Sequence, residues 1–275
     1  MILPLVTALL AAHQGARAED PVRAWETLYD ARLVEAADGT PEVAALYYEE
    51  VVSDLTADDP LYGTAWYWLG RARYGLGDTG AAVTALRTAM RDESVRPRAG
   101  ALLARIELKS RAITALPVTF GFESGIGAFV RAWDQAEKGA MEARNIQGRP
   151  VLAWGTTVLT GEPDHIAAAL EVDRAVTRIS FQVRAHAFPA ELRVTFSDGA
   201  GGRYSAPVLQ VPTGEWLDVV MPASAFRSTD GARGGAGSAL RPDDRVRLLE
   251  IEDLTGLLSP DRGGNVIYVD SFEIR

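Results

Sequence analysis

The residues with the clearest capacity for chemistry form a polar row along one predicted strand. Between positions 176 and 187, apolar and polar side chains alternate, which is the period of a strand buried on one face. The polar positions include Arg178, Gln182, Arg184 and His186. Their donors suit the hydroxyls or carboxylates of a sugar, although a plain solvated face produces the same pattern. We therefore treat these four residues as a candidate ligand-binding site.

A sugar site also needs an aromatic surface, and tryptophans of the C-terminal part are candidates for it. They are Trp133, Trp154 and Trp216. Trp154 and Trp216 have apolar neighbours within predicted strands, so the core of the fold is the competing location for both. We assign Trp154 to the candidate site as its aromatic platform, with burial in the core as the alternative.

Groups that could perform catalysis are scarce in this chain. It has no cysteine and three histidines, so it lacks a thiolate nucleophile and a Cys-ligated metal. Asp164 and His165 could form an orienting pair, but no Gly-x-Ser-x-Gly elbow accompanies them. Glu250, Glu252 and Asp253 form an acidic cluster on one predicted strand, for which a solvated face is the alternative to general acid–base work. The sequence therefore favours a protein that is not an enzyme.

The composition is that of a soluble globular protein and argues against nucleic acid as a partner. The 275 residues include 37 Asp and Glu against 28 Lys and Arg, which gives a net charge of −9. Phosphate contacts need a basic surface, which so acidic a chain does not offer. No segment has the length and apolar character of an integral membrane span.

Residues 1–18 are predicted to form a secretory signal peptide. An apolar run over positions 1–10 leads to Ala16-Arg17-Ala18, a small-x-small cleavage site. This run is shorter than the ~20 residues that span a bilayer, and a disordered N-terminus is the alternative. The mature protein is therefore expected in the periplasm or outside the cell. The abundance of Arg, Ala and Gly suggests a bacterial source.

Residues 19–115 are predicted to form paired α-helices. Five helices are indicated near 22–37, 41–56, 60–75, 79–92 and 97–113: four of them have proline at the first helical position, preceded in three cases by Asp or Thr, and Asp78 precedes the other as a cap. Two of these helices carry a pattern of large and small residues made by Trp66, Leu69, Gly70, Tyr74, Ala82, Leu86 and Ala89. This pattern resembles tetratricopeptide repeats. The resemblance implies a surface that docks a protein partner, and a helical spacer is the alternative.

Residues 117–275 are predicted to form an antiparallel β-sandwich. After position 116 the sequence changes to short alternating segments separated by Gly, Pro, Asp and Asn. Strands are predicted near 118–123, 128–133, 139–145, 150–158, 165–172, 176–187, 191–197, 203–210, 215–221, 245–252 and 265–274. Many short strands with no long helix are typical of a sandwich or jelly roll. The predicted fold class is therefore two domains, α followed by β.

Four motifs follow one another in this C-terminal part: FGFESG at 120–125, GRPVLAW at 148–154, VPTGEWLDVVMP at 211–222 and VIYVDSFEI at 266–274. Their order and spacing resemble galactose-binding-like jelly rolls, which include non-catalytic carbohydrate-binding modules. Many members hold a structural Ca²⁺ where the first and last strands meet, and Glu123 and Asp270 occupy the matching positions. The resemblance thus implies calcium as the cofactor, with a solvated acidic pair as the alternative.

Together these patterns predict an exported, non-catalytic binding protein. Its jelly roll is expected to bind carbohydrate or another ligand of the cell envelope, while its helical repeats dock a protein partner. The alternative is a protein-interaction or assembly factor of the envelope that has no sugar site.

Overall fold

The computed structural model describes residues 26–33, 41–131, 140–158, 163–198, 202–229, 237–241, 244–258 and 263–275. The predicted signal peptide and Trp133 lie outside the described residues. The chain divides into two compact units, Met1–Leu103 and Ala104–Arg275, and each has its own hydrophobic core. The domain boundary predicted near residue 116 stays a prediction.

Five described helices precede the first strand. They are α1 (26–33), α2 (Pro41–Asp54), α3 (Tyr62–Gly75), α4 (Thr79–Ala89) and α5 (Arg96–Ser110). Pro41 begins α2, as suits a residue without a backbone N–H, and Asp78 caps α4 by accepting a hydrogen bond from Ala81 N at 3.1 Å. By contrast, α3 begins two residues after Pro60, and the side chain of its N-cap residue, Leu61, makes no capping hydrogen bond. None of the described helices has the length and apolar character needed to span a membrane.

Small residues allow α3 and α4 to pack closely. Gly70 faces Leu86 so tightly that a Cβ at position 70 would come within 2.7 Å of the Leu86 side chain. Leu69, Ala82 and Ala89 are buried beside this contact. The close approach predicted from the pattern of large and small residues is therefore present. That these helices form tetratricopeptide repeats stays a prediction.

Two antiparallel sheets form the second unit. Their described strands are β1 (Val118–Phe120), β2 (Val130–Arg131), β3 (Met141–Ile146), β4 (Arg149–Val158), β5 (Asp164–Ala169), β6 (Arg178–Ala185), β7 (Ala190–Asp198), β8 (Arg203–Ser205), β9 (Leu209–Val211), β10 (Leu217–Pro222), β11 (Arg227–Ser228), β12 (Val246–Asp253) and β13 (Gly263–Ile274). Sheet 1 has the order β10-β6-β13-β4-β3, with β1 paired to β13. Sheet 2 has the order β11-β8-β7-β12-β5-β2, with β9 paired to β7. The predicted fold class, helices followed by an antiparallel β-sandwich, is confirmed at this level.

The main core of this unit is built from alternate residues of both sheets. Phe181 of β6 stacks on Phe272 of β13 with ring centroids 5.2 Å apart, and Phe196 and Ile251 contribute from sheet 2. Strand β6 buries every second side chain, and β7 and β12 do so over part of their length, which is the pattern of a two-layer sandwich.

Three elements differ from the sequence prediction. The single strand expected at 203–210 is two strands, β8 and β9, because Pro207 has no N–H to continue the ladder. Strand β11 has only two residues, and the helix α6 (Thr255–Leu258) has only four, so neither is long enough to produce a periodic pattern.

Candidate ligand-binding face

Alternate residues of sheet 1 point away from the main core and form a second, polar surface. The outward residues of β6 are Arg178, Ser180, Gln182 and Arg184, all half-buried. The strand register places Tyr268 of β13 beside Arg184, and it places Asp218 of β10 and Asp270 of β13 on either side of Gln182. We call this surface the outer face of sheet 1.

Trp216 and Tyr268 form the aromatic part of the outer face. They pack with Val151 and Ala153 in a small apolar cluster that is separate from the main core. Tyr268 is buried within this cluster, whereas Trp216 is half-buried and keeps part of its surface exposed. Trp216 is therefore positioned to offer an apolar surface to a ligand.

Two arginines lie against these rings. Cζ of Arg184 is 5.2 Å from the ring centroid of Trp216 and 5.1 Å from that of Tyr268. Cζ of Arg149 is 4.6 Å from the ring centroid of Trp216. At such distances the guanidinium is attracted to the negative face of the ring. The aromatic cluster thus fixes the position of both cations.

Hydrogen bonds fix the remaining polar side chains of the outer face. Nε2 of Gln182 donates to Oδ1 of Asp218 at 2.6 Å, while its amide oxygen accepts a hydrogen bond from Arg149. Arg149 is also ion-paired with Asp270 at 2.6 Å. These contacts orient the Gln182 amide and leave it little rotational freedom.

The end of the outer face nearest the start of β6 carries a second ion-pair cluster. Glu273 accepts from Arg178 and from the Ser180 hydroxyl, both at 3.2 Å, and from Arg275 at 2.7 Å. The hydrogen bond from Arg275, supported by those from Ser180 and Arg178, outweighs the effect of desolvation and lowers the pKa of Glu273. This carboxylate is therefore ionised at neutral pH.

A recess of about 340 Å³ adjoins the aromatic cluster. Ala153 and Val266, which pack beside Tyr268, line it together with Gly155, Arg144 and His186. Gly155 contributes no side chain, and so it leaves room between its neighbours. The recess shares Ala153 and Val266 with the cluster that contains Trp216, so both belong to the candidate surface for a ligand.

The structure brings together most of the residues singled out from the sequence. Arg178, Gln182 and Arg184 share the outer face of sheet 1. His186 follows β6 directly, and its ring lies edge-on to Tyr268 with centroids 6.0 Å apart. That these four residues bind a ligand stays a prediction.

The prediction that Trp154 forms the aromatic platform is wrong. Trp154 is 0% exposed and lies in the main core, because β4 directs Leu152 and Trp154 inward and Val151 and Ala153 outward. Trp216 occupies the platform position. The sequence contained a signal for this location. Side chains two residues apart in an extended segment face the same side of the sheet, and Trp216 lies two residues before the polar Asp218.

Glu123 and Asp270 do not fit the calcium site that the sequence resemblance implies. Asp270 is ion-paired with Arg149, and a guanidinium at this distance opposes a second cation because like charges repel. The side chain of Glu123 is exposed. The described residues contain no group of three or more His, Cys, Asp or Glu side chains arranged for a metal. Calcium is therefore not proposed for this protein.

The acidic residues considered for catalysis have structural partners. Asp164 is buried and ion-paired with Arg131, which lies on the neighbouring strand β2. Asp253 accepts a hydrogen bond from Thr255 N at 3.0 Å at the start of α6. Glu250 is ion-paired with Arg203 at 3.2 Å.

Glu252 is the most tightly held of these carboxylates. Burial opposes its ionisation, but the hydrogen bond and charge of Arg193 at 2.7 Å, the charge of Arg203 and the Thr195 hydroxyl outweigh burial and lower the pKa of Glu252. A lowered pKa suits a structural ion pair rather than a general acid. These contacts explain the acidic cluster without catalysis.

We expect Glu252 to make the fold sensitive to acid. Because its pKa is lower in the folded than in the unfolded state, its stabilising effect is present above the ordinary value of 4.5 and is lost as the pH falls through the folded value. Glu252→Gln should lower the free energy of unfolding by about 1–3 kcal/mol at pH 7, with a smaller difference at pH 3. Urea unfolding at both pH values measures this, with Asp173→Asn as an exposed control. An equal difference at both pH values contradicts the prediction.

Comparison with known proteins gives no family for this chain. No family model matches it, and no curated protein matches it. One similar solved structure is the family 11 carbohydrate-binding module of a cellulosomal cellulase of Clostridium thermocellum, with 14% identity over 59% of this chain and 95% of that chain, and a TM-score of 0.42. Another is the family 11 module from the same organism in complex with a β-1,3-1,4-mixed-linked tetrasaccharide, with 15% identity over 58% of this chain and 96% of that chain, and a TM-score of 0.43.

A third similar structure is the N-terminal tandem CBM22 domain of Xyn10C from Paenibacillus barcinonensis, with 20% identity over 60% of this chain and 47% of that chain, and a TM-score of 0.38. At these values the similarities carry no weight for the ligand of this chain.

Proposed function

We propose that the β-sandwich is a non-catalytic module that binds carbohydrate on the outer face of sheet 1. The observation that carries this proposal is the half-buried ring of Trp216, which is flanked by Arg149 and Arg184 and lies beside the hydrogen-bonded pair Gln182–Asp218. A sugar ring has an apolar C–H face and a rim of hydroxyl groups. Trp216 would pack against the apolar face, while the fixed amide, carboxylate and guanidinium groups bond to the hydroxyls.

The state of the carboxylates supports binding rather than hydrolysis. A glycosidase needs one carboxyl group whose pKa is raised so that it can donate a proton. Glu252 and Glu273 have lowered pKa values, which is the opposite of what such a proton donor needs. Asp270, the most central carboxylate of the outer face, is ion-paired with Arg149.

The wider role that we propose is that of an exported binding protein of the cell envelope, periplasmic or secreted. Residues 1–18 support export. Exposed apolar side chains on α1 and α2, those of Tyr29, Leu33 and Leu46, support docking of a protein partner by the helical unit. The alternative is an envelope assembly factor without a sugar site, which the binding experiment distinguishes.

The test is the affinity of the full chain for polysaccharides before and after Trp216→Ala. Affinity electrophoresis against mixed-linkage β-glucan, xylan, polygalacturonate and alginate identifies the glycan that slows migration. We expect Trp216→Ala to weaken that binding at least tenfold, since loss of a central aromatic contact costs about 2 kcal/mol or more. Circular dichroism checks that the variant is folded.

Trp68 of α3 provides a matched control. It is also a half-buried tryptophan between two arginines, with Arg32 and Arg71 at 3.5 and 4.9 Å from its ring centroid, but it belongs to the helical unit. Trp68→Ala should leave glycan binding unchanged. Unchanged binding in folded Trp216→Ala overturns the proposed site, and no retention by any glycan favours the assembly factor.

A further inference from the structure

The arginines of the outer face differ in whether their charge is neutralised. Arg149 is ion-paired with Asp270, Arg178 with Glu273 and Arg144 with Glu142. Arg184 makes no salt bridge with any carboxylate among the residues that the structure describes, and its guanidinium contacts the rings of Trp216 and Tyr268 instead. The centre of the outer face therefore carries a positive charge that the neighbouring side chains do not cancel.

Packing holds this charge partly out of water. The two rings contact the guanidinium, and Nε of Arg184 is buried with no hydrogen-bond partner among the described residues. A buried donor without an acceptor costs free energy, and a desolvated cation costs more. A ligand that brings an anionic acceptor to the guanidinium would neutralise this partly desolvated charge.

We infer that the carbohydrate bound by the outer face is acidic, with a sugar carboxylate that pairs with Arg184. This inference rests on the proposed carbohydrate-binding function. A guanidinium presents a planar fork of donors that matches a carboxylate, and hydrogen bonds between charged groups are roughly twice as strong as those between neutral groups. A neutral hydroxyl would satisfy one donor of Arg184 and leave its charge uncompensated.

The order of these side chains across sheet 1 supports placing the sugar carboxylate at Arg184. Trp216 directly precedes β10, Arg184 lies on β6 and Tyr268 lies on β13, and these three strands are adjacent in sheet 1. Adjacent strands lie about 4.8 Å apart, so a sugar ring stacked on Trp216 has Arg184 within reach of its exocyclic carboxylate.

The carboxylate of Asp218 lies on the same face, but it does not neutralise Arg184. Asp218 is exposed and accepts the hydrogen bond of Gln182. Water and salt screen an exposed charge far more than a partly buried one. We therefore expect the half-buried Arg184 to dominate selection between acidic and neutral sugars.

The test compares acidic polysaccharides with their own carboxyl-reduced forms, which have the same linkages but neutral sugars. Polygalacturonate, alginate and glucuronoxylan supply three such pairs, and affinity electrophoresis or calorimetry measures binding to the full chain. We expect at least one pair to be bound roughly tenfold or more tightly in its acid form at low salt, with the difference decreasing as salt rises. Arg184→Gln should abolish that difference.

Arg245→Gln is the control for the general loss of an arginine. Arg245 lies in the same unit, but its side chain is 66% exposed and its ion pair with Asp173 is on the surface. This variant should keep the preference for acidic glycans. Thermal unfolding of both variants confirms that they are folded.

Different results would contradict the preference for acidic sugars, its assignment to Arg184, and the proposed carbohydrate binding. If the chain binds glycans but no acid form is preferred over its reduced form, the inference is overturned and the proposed function stands. If the acidic preference persists in folded Arg184→Gln, its assignment to Arg184 is overturned. If neither acidic nor neutral glycans bind, the proposed function fails, and the inference fails with it.

Discussion

Replacing Trp154 by alanine is expected to lower the free energy of unfolding of the sandwich by about 3–5 kcal/mol. Trp154 is fully buried in the main core, between β4 and the inner face of sheet 2. Alanine would remove most of its apolar contacts and leave a cavity that the surrounding strands cannot fill. Urea unfolding followed by circular dichroism measures the change.

Two variants separate the effect of the cavity from other effects of removing a tryptophan. Trp154→Phe keeps much of the volume and removes an indole N–H that has no hydrogen-bond partner among the described residues, so its cost should be much smaller. Trp216→Ala removes a half-buried ring and should cost less than half as much as Trp154→Ala. If Trp154→Ala proves no more destabilising than Trp216→Ala, the two tryptophans have been assigned to the wrong sides of sheet 1.

Replacing Asp164 by asparagine is expected to destabilise the same unit by about 3–5 kcal/mol. Asp164 and Arg131 form an ion pair whose side chains are 2% and 8% exposed, and Arg131 also donates to the carbonyl oxygen of Gly155 at 2.7 Å. The substitution removes the negative charge that pairs with the buried guanidinium of Arg131. A buried charge without a counter-ion is destabilising, because the protein solvates it less well than water does. Chemical denaturation at pH 7 measures the loss.

A double-mutant cycle shows whether the loss comes from the pair. Arg131→Met combined with Asp164→Leu removes both charges and should be less destabilising than the sum of the single changes, with a coupling of about 1 kcal/mol or more. Asp173→Asn breaks the exposed pair with Arg245 and should change stability by less than about 1 kcal/mol. Additive effects of the two buried substitutions would mean that Arg131 and Asp164 do not stabilise each other.

The strands with one polar side were the easiest part of this fold to predict. In β6 every second residue is buried, from Ile179 to Ala185, and the outward positions are polar, so the sequence shows the period directly. In β4 the outward residues Val151 and Ala153 are buried as well, in the small cluster beneath Trp216. A strand covered on both faces loses its alternation, and for that reason the sequence could not tell which way Trp154 points.

Contacts between strands that are distant in the chain could not be predicted from the sequence. Arg131 and Asp164 meet because β2 pairs with β5, and local patterning does not reveal that pairing. The adjacent His165 was considered as a partner of Asp164 but not favoured, because no Gly-x-Ser-x-Gly elbow accompanies the two residues. Successive residues of a strand point to opposite faces, so neighbours in sequence are poor partners there. The neutralised charges on Arg149 and Arg178 likewise depend on the register of β13, and only the structure shows that Arg184 differs from them.

The position of β13 has a consequence for the order of folding. This strand follows every other described strand, yet it lies inside sheet 1 and pairs with β1, β4 and β6. Sheet 1 therefore cannot be completed until residues 263–274 have been synthesised, and its contacts connect distant parts of the chain, which slows folding. Tyr268 and Asp270 belong to this same strand, so the outer face does not exist in any partly made chain. A chain that lacks this strand would therefore lack the face on which we propose that carbohydrate binds.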